Sequence, residues 1–114
     1  MANTFKLKTR AGIDTSLATV YTVPASKTTV IIGLTLTNIK GASITASVQI
    51  SSNTVDVETN VDVYVIKDIP IPSGSSVEVM AGNKIVLQTT DILKVSTSVV
   101  DGADAVLSIM ESDV

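Results

Sequence analysis

The side chains best suited to chemistry in this chain are carboxylates, and several gather in its middle. Asp56 and Glu58 lie two residues apart, on one face of an expected strand, and Asp62 and Asp68 follow. Oxygen ligands at that density could hold Ca²⁺. They equally suit an exposed acidic strand face that resists edge pairing, and this second reading is the one adopted, with no metal expected. Asp101-Gly102-Ala103-Asp104 lacks the further ligands of a Ca²⁺ loop and reads as a hairpin turn. Nucleophilic catalysis has little to work with. The chain holds neither His nor Cys, so Ser-His-Asp and Cys-His arrangements cannot be built. A Ser-Lys pair is formally possible, but Ser and Lys are scattered over expected exposed strand faces. General acid–base work usually wants His or a buried, perturbed carboxylate. Phosphate binding needs a glycine-rich loop opening a helix. Gly12, Gly33, Gly41, Gly74, Gly82 and Gly102 are isolated, and no helix follows any of them. These residues point to a protein that is not an enzyme and carries no cofactor.

The elements that must position these side chains are strands. Val, Thr and Ile number 17, 15 and 12 of the 114 residues, and all three are stiff at χ1 and fit a pleated surface better than a helix. Alternation with period two recurs along the chain. Val30, Ile32, Leu34 and Leu36 share one face of a run whose other face carries Thr29, Thr35 and Thr37. Ile44, Ala46, Val48 and Ile50 alternate with Ser43, Thr45, Ser47 and Gln49. Leu93 and Val95, then Leu107 and Ile109, repeat the pattern. Strands are expected over 3–9, 18–23, 28–39, 42–50, 54–58, 61–67, 76–80, 84–89, 92–99 and 105–111. Between them lie Pro24-Ala25-Ser26, Lys40-Gly41, Ser51-Ser52-Asn53, the Pro70–Gly74 crossing, Gly82-Asn83 and Asp101-Gly102. Lys40-Gly41 suits a tight hairpin between the two strongest strands. Gly33, inside a strong strand, marks a bulge or a close approach of another chain.

Many short strands with turns at this spacing predict an all-β, antiparallel two-sheet β-sandwich. Jelly-roll and immunoglobulin-like strand orders remain open at this point. The expected core is Val30, Ile32, Leu34, Leu36, Ile44, Val48, Ile50, Leu87, Leu93, Val95, Leu107 and Ile109. Residues 1–114 form one domain without repeat or linker. Lacking Cys, it must be held by its apolar core, which a chain of this length can supply.

Charge is unevenly placed. Residues 1–10 carry Lys6, Lys8 and Arg10 and no acid, while the remainder sets five lysines against eleven acids, a net of −6. An acidic body argues against general nucleic-acid binding, which needs a basic face. The first ten residues read either as a basic N-terminal arm reaching an acidic neighbour or as an edge strand blunted by lysine. In the arm reading, Phe5 and Leu7 bury apolar surface while Lys6, Lys8 and Arg10 pair with acids, making these five the expected partner-binding residues. The longest apolar run, Val30 to Leu34, is too short to cross a bilayer, and the N-terminus lacks the apolar core of a signal peptide. No membrane association is expected, and synthesis is expected in the cytoplasm.

Several stretches resemble a family of small virion structural proteins of tailed bacteriophages, many from marine and cyanobacterial phages. They are Met1-Ala2-Asn3-Thr4-Phe5-Lys6, Val20-Tyr21-Thr22-Val23-Pro24-Ala25, the β-branched strand ending in Thr37-Asn38, Tyr64 to Ser76, Lys84-Ile85-Val86-Leu87, and Leu107-Ser108-Ile109-Met110-Glu111. The resemblance runs through nearly the whole chain and carries no catalytic motif. It implies a virion location and a non-enzymatic structural role, most specifically a capsid decoration (cement) protein bridging capsid subunits. The expected partners are further copies of the chain, as a trimer, and the major capsid protein or other virion proteins. A neck or tail component is the alternative within the virion. A glycan-binding or adhesive module is the alternative outside that class, and it would have only Tyr21 and Tyr64 as stacking residues, Tyr64 being expected to pack in a strand.

Overall fold

The computed structural model describes residues 3–52 and 62–114. Nine strands and no helix occur among them: β1 (Asn3–Ile13), β2 (Ala18–Thr22), β3 (Lys27–Asn38), β4 (Ile44–Ser51), β5 (Asp62–Ile71), β6 (Ser76–Glu78), β7 (Ile85–Leu87), β8 (Ile92–Thr97) and β9 (Ala103–Asp113). The expected strand at 54–58, with Asp56 and Glu58, lies outside the described residues. Two antiparallel sheets pack into a sandwich. One has the order β1-β9-β3-β6, with β7 also on β3, and the other the order β2-β8-β4-β5.

This order resolves the alternatives left by the sequence. β1 pairs β9, β2 pairs β8, β3 pairs both β6 and β7, and β4 pairs β5. A long antiparallel ribbon with these pairings, rolled so that β9 also meets β3 and β8 also meets β4, is a jelly roll. β6 and β7 together fill the place of one strand. Glu78 bridges the gap between them, its carboxylate accepting the Leu34 N–H at 3.0 Å and the Thr35 hydroxyl at 3.0 Å.

The rolled order corrects the hairpin expected at Lys40-Gly41, because β3 and β4 lie in different sheets. The chain crosses between layers there, and buried Asn38 fastens the crossing. Its Nδ2 donates to the carbonyls of Ala42 and Ile71, both at 2.9 Å, and its Oδ1 accepts the Lys40 N–H. The Asp101-Gly102 turn likewise joins β8 and β9 across the sheets rather than closing a hairpin. Pro70 sits in β5, an edge strand, where a missing donor is tolerated.

Leu34, Leu36, Ile44, Val48, Leu87, Leu93, Val95, Leu107 and Ile109 are buried between the sheets, as expected, with Ile50 half-buried. Val30 and Ile32 are not core. The β3–β9 register shifts between Ile31 and Gly33, so Ile32 is an extra residue with no β9 partner. On the Lys27 side of this bulge Thr29 and Ile31 face inward, and Val30 and Ile32 face out. Ile13, Tyr21, Val23, Ile71 and Met80 complete the core.

Candidate functional site

β1 carries all five expected partner-binding residues, and its pairing with β9 fixes where each points. Lys6, Lys8 and Arg10 stand opposite Ile109, Leu107 and Ala105, which are buried. The basic side chains therefore leave β1 on the side facing the other sheet. Phe5 and Leu7 stand opposite Met110 and Ser108 and project from the outer face, largely exposed. Residues 3–10 are thus an edge strand of the sandwich, with inward-directed charges of the kind that discourage edge-to-edge pairing. Arg10 Nη1 donates to the Thr19 carbonyl of β2 at 3.1 Å, linking the two sheets.

Lys6 finds its acid within the chain. Its Nζ lies 2.9 Å from a carboxylate oxygen of Glu111, which is only 3% exposed. The Tyr21 hydroxyl donates to the other Glu111 oxygen. With its single proton so used, the phenol oxygen accepts from the Thr29 hydroxyl at 2.8 Å. Lys6, Tyr21, Thr29 and Glu111 come from β1, β2, β3 and β9, so one cluster ties four strands of both sheets together. Burial, reinforced by the Glu111 charge, pushes the Tyr21 phenol up to about 12. The Tyr21 hydrogen bond, with help from Lys6 and Lys8, holds the Glu111 carboxyl below its ordinary value against the opposing effect of burial. The arrangement keeps a neutral phenol and a charged carboxylate locked to each other, which is a structural use of both groups. Its signal was present in the sequence: Glu111 continues the inward phase of Leu107 and Ile109.

The outer face of the β1-containing sheet has a different character. Registers across the strands align Phe5, Met110, Val30 and Val86 in one row. The next row along the strands holds Leu7, Ser108 and Gly33, with the bulged Ile32 beside it. Sequence reasoning placed Phe5 and Leu7 on a contact surface but missed Val30, Ile32, Val86 and Met110. The bulge and the split edge strand decide their orientation.

Of the expected acidic face, Asp62 and Asp68 stand near opposite ends of β5, and Asp68 accepts from the Ser47 hydroxyl. Among the described residues no group of three or more His, Cys, Asp or Glu is placed to hold a metal ion. Asp104 accepts the Gly12 N–H at 3.0 Å where the β1–β9 register shifts, and Asp14 accepts the Asp101 N–H at 3.0 Å in the turn between β8 and β9. Tyr64 is half-exposed on β5 rather than packed, with Lys67 Nζ 5.3 Å from its ring centroid. Tyr21 is buried in the cluster above and unavailable for stacking.

No protein-family model matches the chain, and no curated protein matches it. Solved structures do. One reported as "Bacillus endospore appendages form a novel family of disulfide-linked pili" is 12% identical with a TM-score of 0.52, covering 96% of this chain and 84% of that one. The T13 particle of infectious bursal disease virus (IBDV) contains a chain 12% identical with a TM-score of 0.56, covering 96% of this chain and 30% of the viral one. The Gx strain of the same virus gives 13% identity and a TM-score of 0.50, covering 97% of this chain and 33% of the other. This chain therefore spans about a third of those viral proteins. At these identities the likeness establishes the fold.

Proposed function

We propose that this chain is a non-enzymatic structural subunit of a viral particle, and specifically a capsid decoration protein that bridges and stabilises neighbouring capsid subunits. The observation that carries the reading is the jelly-roll likeness, which takes in nearly the whole chain and falls on parts of two viral particle structures. The sequence resemblance to tailed-phage virion proteins supports it, as does an outer sheet face rich in exposed apolar side chains. Protein–protein contact is the role such a face serves. A subunit that binds only the assembled shell stabilises it by mass action, and several copies in one homo-oligomer, a trimer in the sequence-based expectation, raise its avidity. The pilus likeness also concerns an assembly, but with no Cys this chain cannot form disulfide links.

Electron microscopy of purified particles carrying this chain tests the proposal. Density at threefold positions on the head is the expected result. Density confined to the neck or tail would replace the decoration role with a tail-component role, and absence from the particle would overturn the virion reading. Half-exposed Tyr64 favours one competing reading, an adhesive module. Specific glycan binding that is lost on Tyr64→Ala would establish it.

A further inference from the structure

The outer face of the β1-β9-β3-β7 layer is apolar where such a face is normally polar. Phe5 is 73% exposed, Leu7 65%, Val86 60%, Val106 41% and Ile32 39%. Met110 and Val30 fill the row between Phe5 and Val86 and are half-buried by their neighbours. None of the positions in the two central rows is charged, although the chain as a whole has a net charge of −3. With four strands spaced about 4.8 Å apart, the row runs roughly 15 Å across the sheet.

We infer that this face packs against the same face of a second copy of the chain, about a twofold axis. Charge is compatible with this occupant, because two chains of like net charge repel least where the facing rows carry no charged residue. No residue of the two central rows is an acid; exposed Glu78, in the next row with Val106, lays its carboxylate beside Gly33 at the patch margin, where the Leu34 N–H and the Thr35 hydroxyl hold it. Area supports the choice. From the exposures above, the apolar side chains leave roughly 500 Å² open, at the upper end of what monomers expose. Two such faces together bury roughly 1,000 Å², the threshold for a specific interface, and the surrounding hydroxyls of Thr9, Ser108, Thr28 and Thr35 extend it toward standard size. Shape is also self-compatible. When the strands of the two faces run alongside each other, as in aligned sheet packing, Phe5 of one copy meets Val86 of the other, large against small, and Met110 meets Val30. A patch that meets itself closes with two copies, not with the three expected from sequence. The inference concerns the free chain and does not depend on the virion reading.

Light scattering on the full chain across a concentration series tests it. The expected result is a mass of two chains, with Phe5→Glu/Val86→Glu running as a monomer whose circular dichroism is unchanged. Both sites are exposed, so neither substitution disturbs the core. Leu7→Ser is expected to weaken association by about tenfold or more, the scale of one lost apolar contact of roughly 1.4 kcal/mol. Tyr64→Glu, on the other sheet, should leave the dimer intact. A wild-type monomer at every concentration, a trimer, or a dimer indifferent to the Phe5 and Val86 changes would each overturn the inference. None of these results bears on where the chain sits in a particle.

Discussion

Glu111 is the position where one side chain decides the most. Its carboxylate is buried, and the Tyr21 hydroxyl and the Lys6 ammonium, with the nearby Lys8 charge, make that burial tolerable. Because folding lowers its pKa, the stability it contributes is present above the ordinary carboxylate value of 4.5 and is lost as pH falls through the lowered one. Tyr21 works in the opposite direction: folding raises it from 10.0 to about 12, so its contribution is full below pH 10 and lost as pH climbs toward 12. Urea unfolding as a function of pH should therefore show an acid limb below pH 4.5 and an alkaline limb above pH 10. The alkaline limb is on the order of 2 kcal/mol and should shrink in Tyr21→Phe, which isolates it from lysine titration. At neutral pH the same substitution should cost about 1–3 kcal/mol by leaving the Glu111 carboxylate a donor short. An alkaline limb unchanged in Tyr21→Phe would show that the phenol is not its source. Gly102 is a second decisive residue. A Cβ there would lie 2.5 Å from Thr97 Oγ1, whose proton is committed among the carbonyls of Ile13, Asp14 and Val99. Gly102→Ala should destabilise by about 1–3 kcal/mol in thermal or chemical melts, whereas Gly41→Ala, with open space around it, should be near neutral.

At the scale of elements, β3 shows what the sequence could and could not say. Its existence and near-complete span were readable from alternating β-branched residues, and Gly33 drew notice as a bulge signal. The consequence of the bulge was not readable, because an extra residue reverses the phase of every side chain on one side of it. Gly33 itself does not force the bulge: its φ is ordinary and a Cβ would make only normal contacts with Glu78. The register with β9, which pairs Lys27 with the distant Asp113, settles where the extra residue falls, and no local pattern encodes it. The test is a neighbouring pair. Ile31→Ala should cost about 2–5 kcal/mol as a core truncation, and Ile32→Ala less than about 1 kcal/mol. Equal costs would place the bulge elsewhere. β1 carries the same lesson. Alternation of apolar and basic residues was visible, but whether the basic side faced a partner or the chain's own Glu111 depended on the β9 register.

At the scale of the whole molecule, the two-sheet sandwich followed from composition and period-two patterning, while strand order did not. Turn residues at Lys40-Gly41 and Asp101-Gly102 satisfy a hairpin and an inter-sheet crossing equally well. Long-range pairs such as Asn38 with Ile71 decide between them, and a turn dipeptide cannot record such a contact. The apolar outer face was half legible for the same reason. Phe5 and Leu7 stood out locally, but Val86 and Met110 join them only when three separate registers bring four strands side by side.

The pairing of β1 with β9 also has a consequence in time. Asn3 meets Ser112 across 109 positions, and among the described residues β1 has no other strand partner. At ribosomal rates of about 5–20 residues per second, β1 emerges roughly 5–20 s before β9 exists to receive it. During that interval Phe5 and Leu7 are carried on an unpaired strand. Even in the finished chain, closing such distant pairs makes folding slow, so stopped-flow refolding should fall in the millisecond-to-second range, and a microsecond phase accounting for the whole amplitude would contradict this. Until its last strand arrives, the nascent chain is a half-rolled ribbon with its first strand waiting.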